Sequence, residues 1–491
     1  MLEVDRVTKR HGNAQAPVAF TFSDASNRLV HVADVPRMQR LPHVDNLKTI
    51  MVAWIIGGHA LLGYAAIGGW PYDEVNEVTF DPRSELVLSA LLGPSALFVI
   101  GTFFFLAGLF AQAPFARKGP ARFAADRMLR LGVPFLAFMA LLWPLFMWFA
   151  YRAAGYHVSY WWSFTHRQPF LDSGPLWFAE VLLYVSVGYA AWSWTARRLG
   201  RRPDPHPAPL RGAHLVALAV AVAVASFWVR LWFPARSTQI LDLHLWQWPA
   251  CVAMFGFGVA VARRGWQVKV PERLYRAGAF AVAVTVVAVP VLALGVGVSN
   301  VAQDAGPFLG GWHWQALVLA CMEASLVVAG SVWLLGLAQR RLAGGGPLSA
   351  ACARSSYAAF ALQVPVLLTL AIAARPLPWP AEAKAFLVAA LGVPACFSLG
   401  WLIVRTRRVG SCKARGHDCR PRFAPNRPGR CPCERSTSRR PQRGGGAAGV
   451  VSVPRGRDGK PPTRAHRSLS VRLLVNSTSR YKGRGRPEQG R

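Results

Sequence analysis

Residues 42–64 read PHVDNLKTIMVAWIIGGHALLGY, an apolar run with a lysine and a histidine inside it. A helix of this length can cross the ~30 Å hydrocarbon core of a bilayer. Lys48 and His59 are eleven residues apart, and at ~100° per residue that spacing returns to within about 20° of the same helix face, with a rise of roughly 16 Å. The reading puts a cation near one bilayer surface and, on the same stripe, an imidazole about halfway through the core. Ionisable groups inside a membrane are costly and mark function unless they are paired. A membrane histidine can also serve simply as a hydrogen-bond partner for a neighbouring helix, but the stripe shared with Lys48 favours chemistry at depth with a phosphate held at the surface. A neutral imidazole in an apolar setting is a suitable general base for a hydroxyl proton.

The rest of the chain has the same character. Its 491 residues are 53% hydrophobic and 16% charged, with 19 Trp, which excludes a soluble enzyme and gives an all-α polytopic membrane protein. About ten transmembrane helices are expected, over 46–67, 86–113, 131–151, 175–196, 213–234, 246–262, 277–298, 313–338, 355–374 and 385–404. Basic residues alternate between the loops. One set holds eighteen, among them Arg117, Lys118, Arg122, Arg197, Arg198, Arg201, Arg202, Arg263, Arg264, Arg340 and Arg341. The other set holds six, including Arg83, Arg152, Arg167 and Arg236, alongside Asp73, Glu74, Glu77, Asp81 and Glu85. The positive-inside rule then makes both termini cytoplasmic and puts Lys48 at the cytoplasmic end of the first helix. Residues 1–40 form a polar cytoplasmic segment with no run long enough for a signal peptide, so insertion is expected to begin with the helix itself.

The formal net charge of +33 resembles a nucleic-acid signal until it is located. From Arg405 to the end there are 24 Lys or Arg against 4 Asp or Glu. Segment 405–491, rich in Arg, Pro, Gly and Ser, cannot bury a core and is expected to be disordered. It reads as a cytoplasmic arm for anionic lipid or nucleic acid, as a solvated tail, or as the product of GC-rich DNA translated out of frame. No nucleic-acid role is expected beyond it. Cys412, Cys419, Cys431 and Cys433 are not at zinc-finger spacing, and no metal site is expected. Cys251, Cys321, Cys352 and Cys396 fall in apolar segments as small buried hydrophobes.

Five other positions stand out. Arg127 and Arg130, in RFAADRMLRLGVPF, lie three apart at the cytoplasmic start of the third helix, a spacing that puts both guanidiniums on one side and suits a polyphosphate, although ordinary anchoring uses such arginines too. Glu323, in ALVLACMEASLVV, is a carboxylate inside the eighth helix and needs a partner or a function. Arg230, near the outer end of the fifth helix, can pair with a carboxylate, orient an acceptor or snorkel to the interface. Trp177 reads as an interfacial belt residue with a sugar-stacking alternative.

With those residues in view, the chain resembles the acyltransferase-3 family of integral membrane acyltransferases. Lys48 and His59 match the family's motif of a basic residue, a ten-residue gap and a histidine; Arg127 and Arg130 match its paired arginines. DNLK at 45–48, GGWPYDE at 68–74, FFFLAGLF at 103–110, PLWFAEVLLY at 175–184 and RLWFP at 230–234 are similar too, in the family's order. The membrane acyltransferase domain is expected over 41–404. The resemblance implies an enzyme of the plasma (inner) membrane that moves an acyl group from a cytoplasmic donor, usually acyl-CoA, to a hydroxyl of a glycan or other acceptor. It implies that Lys48, Arg127 and Arg130 grip the donor phosphates and that His59 activates the acceptor. The acyl-CoA is a co-substrate; no cofactor is expected to stay bound, and membrane lipid is the surrounding partner.

The chain departs from the family pattern in three places. Ala107, Gly108 and Leu109 stand where many members have Ser-Gly-Phe, which keeps only the glycine that allows close packing. Gln363, in SYAAFALQVPV, stands where a histidine is frequent. The last helix meets the basic tail. Two further readings therefore remain, a transporter or flippase of a lipid-linked or acidic solute and a catalytically inactive family member. A transporter commonly shows internal repeats, and none is visible.

Overall fold

The computed structural model describes residues 41–413 except 67–69, 71, 73–77, 167–172, 201–209, 238, 240–241, 266–268 and 300–303, and side chains at 96–97 and 407–413 are not described. Segment 1–40, Asp73, Glu74, Glu77, Arg167, Arg201, Arg202, Cys419, Cys431, Cys433, the side chain of Cys412 and all of GGWPYDE but Trp70 and Tyr72 lie outside the described residues.

The described chain is helical throughout. α1 spans Pro42–Leu62 and α2 spans Pro82–Arg127. Two π-helical stretches, Met128–Gly132 and Phe138–Leu142, flank α3 (Val133–Ala137), and α4 (Trp143–Ala153) and α5 (Tyr160–Thr165) follow. Then come α6 (Trp177–Arg198), α7 (Gly212–Trp232), α8 (Trp248–Arg264), α9 (Glu272–Gly295), the short α10 (Gly306–Leu309), α11 (Trp314–Arg341), α12 (Pro347–Ala374) and α13 (Ala381–Lys413). The last helix continues past Arg405, where disorder was expected to begin, and Arg405 lies 5.0 Å from the ring centre of Trp401 one turn earlier.

Among the described residues, eight helices are long and apolar enough to cross a membrane. Two features separate this number from the expected ten. α1 is not among the eight, because Asp45, Asn46, Lys48 and His59 dilute its apolar run. The stretch Pro82–Ala153 counts as one, although the backbone leaves helical geometry at Gly119, with φ 73° and ψ 172° just before Pro120. Only glycine adopts that conformation cheaply, and proline then restarts a helix well.

Small residues bring the helices together, as expected where apolar burial alone gives little association in lipid. α2 crosses α8 at two glycines that face each other's backbone. A Cβ on Gly108 would stand 2.1 Å from the Phe255 carbonyl oxygen, and one on Gly258 would stand 2.1 Å from that of Phe105. Thr102 on α2 and Ser331 on α11 share a buried hydrogen bond of 2.9 Å. Exposed valines line α7 (Val216, Val220, Val224) and α9 (Val284, Val287, Val291), forming faces that only lipid would cover without penalty.

α1 runs along two apolar clusters. Val44, Leu47 and Met51 belong to one, with Phe105, Phe115 and Phe123 of α2. Val52, Ile56 and Ala60 belong to the other, with Phe135, Trp143, Leu367 and Val388. Its start is anchored by Asn46, which donates at 2.8 Å to both the Leu342 and Gly344 carbonyls. Lys48 therefore travels with the first cluster and His59 with the second.

Candidate active site

His59 lies in the last turn of α1, which starts at Pro42 and ends three residues after the histidine. The chain then folds over it through buried Tyr64, Trp70 and Tyr72. The imidazole stacks on Trp70, with ring centres 4.4 Å apart and planes 18° apart. Its Nδ1 meets Gln363 Oε1 of α12 at 2.8 Å. An amide oxygen can only accept, so Nδ1 carries the ring proton and Nε2 keeps its lone pair. Gln363 is fully buried, and its Nε2 has no hydrogen-bond partner. A buried donor of this kind is an unfilled valence at the site.

Each of the basic residues has its own support. Lys48 Nζ lies 4.0 Å above the Phe110 ring centre. Arg127 lies 5.0 Å from that of Phe123, and its buried Nε has no hydrogen-bond partner. Phe123 packs edge-on against Phe115, which in turn carries Arg197 of α6 at 5.3 Å. Arg130 behaves differently: its side chain is 72% exposed and bonds Asp126 at 3.0 Å. Arg130 falls within the π-helical turn Met128–Gly132 that follows Arg127.

Arg230 and Glu323 form a buried ion pair, at 1% and 4% exposure, between the last turn of α7 and α11. Arg230 also lies 5.3 Å from the ring centre of Trp246. Trp177, at the first position of α6, packs on His244 with ring centres 4.5 Å apart. These residues form a second polar group among the helix ends.

A family model described as an acyltransferase domain, that of the acyltransferase-3 family, matches residues 41–405. The chain belongs to that family. It is a multi-pass membrane acyltransferase, and the transporter reading gives way to it. No curated protein and no solved structure matches the chain.

In this acyltransferase an imidazole whose Nδ1 is tied to Gln363 lies at one end of α1, and the cation Lys48 lies nearer the other. Sequence reasoning marked Gln363 only as a departure from the family pattern. It also passed over Trp70 and Asn46 as individual residues, although both stood inside quoted motifs, GGWPYDE and DNLK. Gly108 has the close-packing role expected of it.

Proposed function

We propose that this acyltransferase takes an acyl group from cytoplasmic acyl-CoA and gives it to a hydroxyl of a glycan or other envelope or small-molecule acceptor, with His59 as the general base. The observation that carries the reading is the His59 to Gln363 hydrogen bond, which leaves Nε2 as the basic nitrogen. His59 Nε2 takes the hydroxyl proton as that oxygen attacks the thioester carbonyl carbon. The carbon–sulfur bond breaks, the imidazolium returns its proton to the departing thiolate, and an ester and a free thiol result. Base catalysis supplies about 10²- to 10⁴-fold, so positioning and oxyanion stabilisation supply the remainder.

Lys48 and Arg127 are the groups we assign to the donor phosphates, with Arg130 as an outer contact. A helix rise of about 16 Å separates Lys48 from His59, which the extended arm of an acyl-CoA spans. In the bilayer we read Pro82–Ala153 as two passes divided at Gly119 and α1 as a further pass. That makes ten, with both termini cytoplasmic and the enzyme in the plasma membrane. The basic loops support this orientation.

The test is transfer of label from a panel of acyl-CoAs into envelope glycans and lipids, using membranes with the wild-type chain or His59→Ala. Label lost in the variant at equal protein level supports the reading and names the donor. Equal labelling in the two membranes removes His59 as the base, and absence of labelling in both favours an inactive member.

A further inference from the structure

Three arginines from three helices converge on one cluster of rings. Arg127, Arg197 and Arg263 lie in the last turns of α2, α6 and α8. Between ring centres, Phe115 lies 5.5 Å from Phe123 and 4.9 Å from Tyr189, and Phe123 lies 6.4 Å from Tyr189. Each ring carries one guanidinium: Arg127 is 5.0 Å from Phe123, Arg197 is 5.3 Å from Phe115 and Arg263 is 6.0 Å from Tyr189. Arg263 also donates at 3.1 Å to the Tyr189 hydroxyl, which in turn donates at 2.8 Å to Gln112 Oε1. Phe115 and Phe123 are buried, whereas Arg197 and Arg263 are exposed. The support is apolar and packed; the charges on it are accessible.

No carboxylate among the described residues forms an ion pair with any of the three. Asp126, next to Arg127 in sequence, bonds Lys118 at 2.8 Å and Arg130 at 3.0 Å instead. Arg276 and Arg340 share Glu272, each at 2.8 Å. A ring face holds a guanidinium without using its in-plane N–H groups, and the buried Nε of Arg127 has no hydrogen-bond partner. Cations at helix C-termini are favourable in themselves. That effect acts on each helix separately, however, and does not bring three like charges onto one set of contacting rings, where they repel.

Unbalanced positive charge with free N–H groups selects a multiply charged anion. A carboxylate brings one charge and leaves the cluster unbalanced. A phosphomonoester carries about −1.5 to −2 at neutral pH on three acceptor oxygens, and the guanidinium fork matches its geometry. We propose that Arg197 and Arg263, beside Arg127, form a site for a terminal phosphomonoester. Two sources present that group: the 3′-phosphate on the ribose of a coenzyme A donor, and the headgroup of phosphatidic acid at the bilayer surface. The first source rests on the acyl-CoA reading above. It makes Arg197 and Arg263 the residues that distinguish a nucleotide-bearing donor from a bare pantetheine thioester.

The test has two arms, both on the purified full chain. In phosphatidylcholine nanodiscs, equilibrium binding of CoA is compared with that of 3′-dephospho-CoA. In nanodiscs that also hold equal phosphatidic acid and phosphatidylglycerol, native mass spectrometry reads which lipid is retained. Arg197→Gln with Arg263→Gln removes both charges, and Arg273→Gln with Arg276→Gln removes two from the start of α9 as a control. A nucleotide source is expected to give CoA about tenfold tighter binding than 3′-dephospho-CoA. A lipid source is expected to give selective retention of phosphatidic acid without a nucleotide preference. Either preference should vanish in the Arg197 and Arg263 variant and persist in the control; that result supports the site and names its occupant. Melting temperatures within a few degrees of wild type separate lost contacts from lost fold. No preference in either arm with the wild-type chain overturns the proposal whatever the variants do. So does a preference that survives the loss of Arg197 and Arg263, or one that the control loses equally. Neither arm measures acyl transfer, so failure of the acyl-transfer reading leaves this result standing, and failure here leaves His59 in place.

Discussion

His59 Nδ1 and Gln363 Oε1 stand 2.8 Å apart, joining two helices 304 residues apart in the chain. The bond fixes which ring nitrogen is basic, and Trp70 stacked on the imidazole fixes the plane of the ring. Removing the base in His59→Ala is expected to lower kcat by about 10²- to 10⁴-fold. Gln363→Leu keeps the bulk but frees the imidazole to flip, so kcat should fall while the donor KM holds. Gln363→His restores an Nδ1 partner and should recover much of the rate. Steady-state kinetics on the purified protein decide it: a Gln363→Leu enzyme with wild-type kcat would mean that the bond does not orient the base.

On the donor side the two arginines are not equivalent. Arg127 rests on Phe123 with its Nε unmatched, whereas Arg130 is exposed and tied to Asp126. Arg127→Ala is expected to raise the acyl-CoA KM about tenfold or more and Arg130→Ala by less than threefold, because exposed ion pairs carry little energy. Lys48→Ala should behave like Arg127→Ala and leave the acceptor KM unchanged. Donor titrations at two salt concentrations check this; equal effects of the two arginines would count against the assignment.

The helical class and the family were legible because they rest on local features: apolar runs, and motifs such as the Lys48 to His59 gap whose residues lie within one helix. Gly108 was legible for the same reason, as a glycine inside a recognisable run. What the sequence hid depends on partners far along the chain. Arg230 and Glu323 each called for a partner, but nothing in the sequence between them says that two residues 93 positions apart meet. The different surroundings of Arg127 and Arg130, one resting on Phe123 and the other exposed beside Asp126, were hidden too, since spacing alone says nothing of the partners each side chain meets. The bounds of the first helix shifted for a similar reason: an apolar run drawn over 46–67 does not show that the helix starts at Pro42 and ends at Leu62.

The crossing of α2 and α8 sets the frame on which both ends of the site hang. A Cβ at Gly258 would meet the Phe105 carbonyl at 2.1 Å and the Leu109 nitrogen at 2.8 Å, whereas one at Gly256 would meet nothing within 4 Å. Gly258→Ala must push two backbones apart. Overpacking of this kind costs about 1–3 kcal/mol and more where backbone is the obstacle. The melting temperature in detergent should drop by several degrees for Gly258→Ala and Gly108→Ala and hold steady for Gly256→Ala. A Gly258→Ala protein as stable as wild type would show that the helices do not approach this closely.

The Arg230 to Glu323 pair makes a prediction about sign. Burying two charges costs desolvation energy that their attraction roughly repays, but removing one partner strands the other. Glu323→Leu should therefore destabilise the fold by about 3–5 kcal/mol, seen as loss of folded protein or a much lower melting temperature. The double variant Arg230→Met with Glu323→Leu replaces both charges with apolar groups and should melt near wild type. A double variant as unstable as Glu323→Leu alone would mean that the loss comes from packing and not from the stranded guanidinium.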